Sequence, residues 1–124
     1  MAEEMRSPIE SGCPDAFQYM HPLMRKNYGQ WAYHEDIRPG VLVHVSNNGD
    51  KIFTVRAGTQ RILDLFTLRK LCDIGDEYGE GYIHFTIRSN IEYQMADEAK
   101  VEPLIKKLED EGFVVGGTRN SVTM

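Results

Sequence analysis

Cysteine is scarce in this chain: its 124 residues include two, Cys13 and Cys72. Neither belongs to a C-x-x-C pair, and no histidine stands at zinc-finger spacing from them, so a structural zinc site is excluded. An iron–sulfur cluster takes about four thiolates, so the chain alone cannot hold one. The two cysteines read as free thiols, with Cys72 as a small core residue in a helical pattern. Long apolar runs are missing as well. No stretch approaches the ~20 residues of a membrane-spanning helix. The N-terminal "MAEEMRSPIESG" has no hydrophobic signal region. A cytoplasmic protein without membrane insertion is therefore expected. Excess positive charge is also absent, since 14 Lys and Arg face 19 Asp and Glu for a net charge of −5. That balance argues against a general nucleic-acid or membrane-surface binder but leaves room for a local basic pocket.

Regular pattern is thin over residues 1–40, which carry Pro8, Gly12, Pro14, Pro22, Gly29, Pro39 and Gly40. This stretch reads as an irregular arm. Its aromatics Tyr28, Trp31 and Tyr33 imply that it lies against something, either its own domain or a partner, and we expect it to wrap a partner surface. Residues 41–117 read as one folded unit. In "VLVHVSNNGDKIFTVRAG", Asn48-Gly49 supplies the turn of a hairpin. Opposing residues 46 and 51 places Phe53 and Val55 on a face with His44 and Leu42, and Thr54 and Arg56 with Val43 and Val41. A helix follows from about Thr67, with Thr67 as its N-cap, a stripe of Leu68, Leu71, Cys72 and Gly75, and Gly79 and Gly81 as its end.

"GYIHFTIRSNIEYQ" gives two strands, with Ile83, Phe85 and Ile87 on one face and Tyr82, His84, Thr86 and Arg88 on the other. A second helix begins near Ala99 or Lys100, because Pro103 fits only in a first turn. It buries Val101, Leu104, Ile105 and Leu108 and stops at Gly112, before a last short strand in "FVVGG". The order from residue 51 is β-α-β-β-α-β, the split, ferredoxin-like arrangement of the α+β class, with two helices on one face of an antiparallel sheet and the other face open. Strand 41–46 and segment 113–116 compete for one sheet edge, so either they share it along its length or one is displaced.

The handedness of the crossover makes strands 52–57 and 82–88 parallel, with 91–95 between them. Arg56 and Arg88 then end their strands on the open face, about 10 Å apart, and Arg61 lies just beyond. Guanidinium forks suit carboxylates and oxyanions, so an anion site is one reading, and a solvated face carrying surface arginines is the other. The loops "RAGTQR" and "GGTRNS" are glycine-containing and could cradle an anion, a weak signal in itself. RNA recognition by such a sheet wants exposed aromatics on the central strands, whereas Phe53, Phe85 and Tyr93 fall on the helix side. His21, His34, His44 and His84 have no ligand spacing, and no nucleophile elbow is present.

The stretch "FTVRAGTQRILDLFTLRKLCDIGDEYGEGYIHFTIRSNIEYQ" resembles the ferredoxin-like half-domain of sirohaem-dependent nitrite and sulfite reductases. The likeness rests on V-R on the first strand, L-x-x-L-x-x-I on the helix, Y-G-x-G, and T-x-R-x-N-I on the hairpin. The wider chain, from "KNYGQWAYHEDIRPG" to "VEPLIKKLEDEGFVVGGTRNSV", is similar to the N-terminal part of dissimilatory-type sulfite reductase beta subunits. The resemblance implies that Arg56, Arg61, Arg88 and Asn90, with Arg119 and Asn120, bind sirohaem carboxylates or a sulfur oxyanion. It also implies an α2β2 assembly with an alpha subunit, sirohaem coupled to [4Fe–4S], and six-electron interconversion of sulfite and sulfide. Residues 118–124 would then begin the connection to a domain bearing sirohaem and iron–sulfur cluster, and this portion alone would be inactive. A free-standing ferredoxin-like module that binds a small anion, or serves assembly or regulation, is the alternative.

Overall fold

A computed structural model describes residues 16–59, 63–86 and 90–116, together with Ser7, Ile9 and Gly12. Five strands form one sheet in the order β1-β2-β3-β5-β4. They are β1 (Trp31–Arg38), β2 (Val41–Ser46), β3 (Lys51–Gly58), β4 (Tyr82–Phe85) and β5 (Asn90–Met95). Helix α1 (Pro22–Lys26) precedes the sheet, α2 (Leu65–Tyr78) joins β3 to β4, and α3 (Val101–Asp110) follows a 3-10 turn at Glu98–Lys100. Every strand pair is antiparallel, with β5 between the parallel β3 and β4 as the crossover requires. The α+β, ferredoxin-like expectation holds.

The core lies between the two longer helices and one sheet face. Leu71, Ile74, Leu104, Ile105 and Leu108 pack on Val41, Val43, Val45, Phe53, Val55, Ala57, Ile91, Tyr93 and Met95. Each fully buried aliphatic side chain there contributes about 1.5–3 kcal/mol. Tyr93 brings its polar atom inside and satisfies it by donating from Oη to the Leu71 carbonyl at 2.8 Å. Ile83 pairs with Tyr93 and Phe85 with Ile91, the helix-side face expected for them. Phe85 nevertheless stays 62% exposed, because the core does not reach it.

Several sequence expectations are corrected. The hairpin register slips by one residue: Ser46 opposes Asp50, whose carbonyl accepts its N–H at 2.9 Å, and Gly49 N donates to Ser46 O at 3.0 Å. The loop is thus three residues, closed by Gly49 in the left-handed region at φ +89. That single slip moves every side chain of β2 to the other face. Val41 and Val43 join Val55 and Phe53 over the core, and Leu42 and His44 join Thr54 and Arg56 on the opposite face.

Helix α2 starts earlier than Thr67. Asp64 is the N-cap, accepting from Thr67 N at 3.3 Å, so Thr67 sits inside the first turn. Cys72 is exposed, because the buried stripe of α2 centres on Leu71, Ile74 and Gly75.

Residues 1–40 are not wholly irregular. Trp31–Arg38 is a strand on the outer side of β2, with register shifts at both ends. Alternating apolar residues do not mark it, since seven of its eight residues are exposed, and so periodicity missed it. The arm also packs on its own sheet. His21 is buried, its ring 4.9 Å from that of Tyr82, and its Nε2 lies 2.7 Å from Glu80 Oε1. Asn27 bonds Asp50, Ser46 and Asn48 at 2.9–3.1 Å. The arm therefore crosses the face away from the helices near the start of β3, where Ile52 is fully buried. Strand β2 and the C-terminal segment share the β3 edge: β2 pairs residues 51–55, and Val115 bridges Ala57.

Candidate anion site

Arg56 stands where the edge of β3 passes from one neighbour to the other. Its N–H donates to Gly40 O at 2.8 Å and its carbonyl accepts from Gly116 N at 3.0 Å, so both of its backbone polar groups are bonded along that edge. The side chain rises on the face away from the helices. There it meets a residue that the sequence reading missed. Glu92, directly opposite on β5, accepts from Arg56 Nε at 2.6 Å. The Glu92 side chain is 5% exposed and that of Arg56 22%. A carboxylate that deep is tolerable only with a cation beside it.

On the other side of Glu92, His84 of β4 places Nε2 3.5 Å from Oε1. Gln94 Nε2 lies 3.2 Å from His84 Nδ1. Arg56, Glu92 and His84 thus form one row across three adjacent strands. Register could have announced it, because Glu92 lies on β5 directly opposite Arg56 and alternation puts the two on one face.

Asn90 begins β5 opposite Gly58, at the same end of the sheet as Arg56. It is fully buried. Its backbone closes the β4–β5 connection, with Thr86 N donating to Asn90 O at 2.9 Å and Asn90 N donating to Thr86 Oγ1 at 3.3 Å. Arg61, Arg88, Arg119 and Asn120 lie outside the described residues.

His44 is on the same face, its ring 5.7 Å from that of His34. Burial holds its pKa below the ordinary value; the Glu92 carboxylate opposes this, and His34 and Arg56 add to it. Thr54 is buried on the same face, and its Oγ1 has no hydrogen-bond partner among the described residues. Among those residues no group of three His, Cys, Asp or Glu converges to hold a metal. No helix among them is long and apolar enough to cross a membrane.

A sheet bearing a half-buried arginine at the end of its first core strand is the setting in which comparison with known proteins becomes informative. The profile of the nitrite/sulfite reductase ferredoxin-like half domain matches residues 44–111. The chain belongs to this family. Three curated relatives carry the name sulfite reductase, dissimilatory-type subunit beta. The protein of Archaeoglobus fulgidus is 45% identical over 112 residues, 90% of this chain and 31% of the relative. That of Nitratidesulfovibrio vulgaris is 42% identical over 86% of this chain and 30% of its own length. The protein of Megalodesulfovibrio gigas is 38% identical over 93% of this chain and 44% of its own. The chain therefore spans about a third of the first two relatives and under half of the third. The half-domain match takes in β3, α2, β4, β5 and α3, and with them Arg56, His84, Asn90 and Glu92.

Proposed function

We propose that this chain is the N-terminal portion of a dissimilatory-type sulfite reductase beta subunit, in which the Arg56 end of the sheet binds an anion. The observation that carries this reading is the 38–45% identity to three beta subunits over nearly the whole chain. The geometry supports it. Arg56 is anchored through its backbone and its Nε, so the guanidinium is held in place before an anion arrives, and such preorganisation favours binding. Arg61 follows β3 and Arg88 follows β4 in the sequence, and Asn90, Arg119 and Asn120 complete the proposed set.

The anion is either a carboxylate of sirohaem or the sulfur oxyanion undergoing six-electron interconversion with sulfide. A polycarboxylate macrocycle and a small oxyanion both ask for planar donors of positive charge, and Arg56 matches that demand. When bound, sirohaem would supply the electron-transfer chemistry. Arginines of this chain would hold the anion and offset its charge. The described residues do not fit a [4Fe–4S] cluster, because Cys72 lies exposed on α2, in the helix layer on the other side of the sheet from the Arg56 side chain. Two cysteines in the whole sequence fall short of the usual four thiolates. The cluster, the alpha subunit and the α2β2 assembly belong to the proposed complete enzyme.

Reading the gene past codon 124 tests the proposal. A frame that continues into a cysteine-rich sequence supports it. A stop codon there would leave the free-standing anion-binding module in its place.

A further inference from the structure

We propose that His84 is the proton-accepting partner of Arg56, so that an anion docking on this face takes up a proton with it. This rests on the anion-site reading above. Arg56 and Glu92, joined at 2.6 Å, carry no net charge as a pair. A neutral pair is a poor host for a second anion, and the buried Glu92 carboxylate would repel one. Among the described residues, the row itself gains a positive charge in only one place. His84 sits on the far side of the same carboxylate, with Nε2 at 3.5 Å, and its side chain is 47% exposed. Protonated, it converts Arg56–Glu92–His84 from a neutral row to a cationic one, and Glu92 touches both cations.

The hydrogen bonds around the ring permit the change. With Nε2–H facing Glu92, Nδ1 of the neutral ring accepts from Gln94 Nε2 at 3.2 Å. A half-turn of the Gln94 amide presents its oxygen instead, and Nδ1 then carries the added proton, drawn from solvent, and donates it. Among the described residues, the titratable and polar groups that face His84 are Glu92 and Gln94 on β5, Arg56 beyond Glu92 on β3, Tyr82 on its own strand, and Tyr19 from the arm across a cleft of about 360 Å³. Among these described groups only Arg56 is a fixed cation, and Glu92 lies between it and His84. Of the other imidazoles, His44 is part-buried and lies with His34 on the Arg56 side of the row, and His21, beside Tyr82, is engaged by Glu80 at 2.7 Å.

The experiment is calorimetric titration of the 124-residue chain with sulfate, and separately with acetate. Both probes keep a fixed charge near neutral pH and distinguish an oxyanion from a carboxylate site. Repeating each titration in buffers of different ionisation enthalpy counts the protons taken up. Uptake of up to about one proton per anion is expected near neutral pH, with affinity roughly tenfold weaker at about pH 8 than at about pH 5.5. His84→Gln should abolish the uptake and flatten the pH dependence. NMR of the imidazole nitrogens in the unaltered chain provides a second reading, independent of how the variant folds. His84 should move to the imidazolium form as sulfate is added. Sulfate binding at Arg56 with His84 left neutral would overturn this inference alone. No binding of either anion at any pH would overturn both it and the anion site.

Discussion

Gly40 holds the Arg56 backbone directly, accepting its N–H at 2.8 Å, and replacing it with alanine should show how much that packing is worth. It stands between β1 and β2 at φ +87, a conformation that costs a residue with a side chain about 1–2 kcal/mol. A Cβ built there would lie 2.6 Å from Val115 Cγ1 and 2.7 Å from Gly116 N. Both distances are far inside van der Waals contact, and backbone cannot swing away as a flexible side chain can. Overpacking of this kind adds about 1–3 kcal/mol, so Gly40→Ala should lose about 2–5 kcal/mol in all. Gly49→Ala is the matched control. Its φ is +89 and nothing lies within 4 Å of the added carbon, so it should lose only the conformational part, about 1–2 kcal/mol. Urea unfolding of the two variants gives the difference directly. Amide exchange at Gly116, which donates to Arg56 O, should quicken in Gly40→Ala and not in Gly49→Ala. Equal losses from both substitutions would refute the close packing of segment 115–116 against Gly40 and the shared edge of β3 with it.

Other outcomes follow from the same structure. Tyr93→Phe should cost about 1 kcal/mol, read by urea unfolding, because it removes the bond to Leu71 O and leaves the ring in place. In a Cys13→Ser background, Cys72 should react with a thiol reagent in the folded chain; silence until denaturant is added would place it in the core after all. Acid should destabilise the fold in a defined window. Lys70 and Lys107 hold the Glu111 carboxyl down at about 2. Burial pushes Glu80 up, but hydrogen bonds from His21, Ala96 N and Asp97 N outweigh it and leave its pKa below the ordinary value. Groups depressed in the folded state stabilise it above their unfolded pKa, about 4.3, and lose that contribution as pH falls toward 2. Urea midpoints should therefore drop over that interval, and the drop should shrink in Glu111→Gln. Trypsin should cut after Lys26 slowly in the native chain and faster in Asn27→Ala, whose lost bonds reach Asp50, Ser46 and Asn48.

Much of this fold is legible in the sequence because helices and core strands bury periodic apolar residues. Leu104, Ile105 and Leu108 on α3, and Ile91 and Tyr93 on β5, declare themselves by spacing. What hides is anything decided by a single residue or a polar contact. The turn at Gly49 closes over three residues rather than four, and that choice alone reverses the faces of β2. Strand β1 buries almost nothing, so it has no alternation to read. The arm is fixed by hydrogen bonds from His21 and Asn27, and no pattern of hydrophobicity announces such bonds. At the site, Arg56 was readable from its strand end and face. Glu92 needed the register of β3 against β5 as well, which follows only once the strand order is known.

The account stands most directly on Arg88 in the complete enzyme proposed above, expressed from the full reading frame together with the proposed partner subunit. Arg88→Ala should lower sirohaem per protein, measured by absorbance, or sulfite turnover. An unchanged melting temperature would assign the loss to the anion site and not to the fold. Arg69→Ala, on the exposed side of α2, is the control and should load and turn over normally. Reduced loading or turnover in Arg88→Ala with a normal Arg69→Ala is the predicted result. Full sirohaem and unchanged turnover in Arg88→Ala would contradict the anion site and make that arginine an ordinary surface residue.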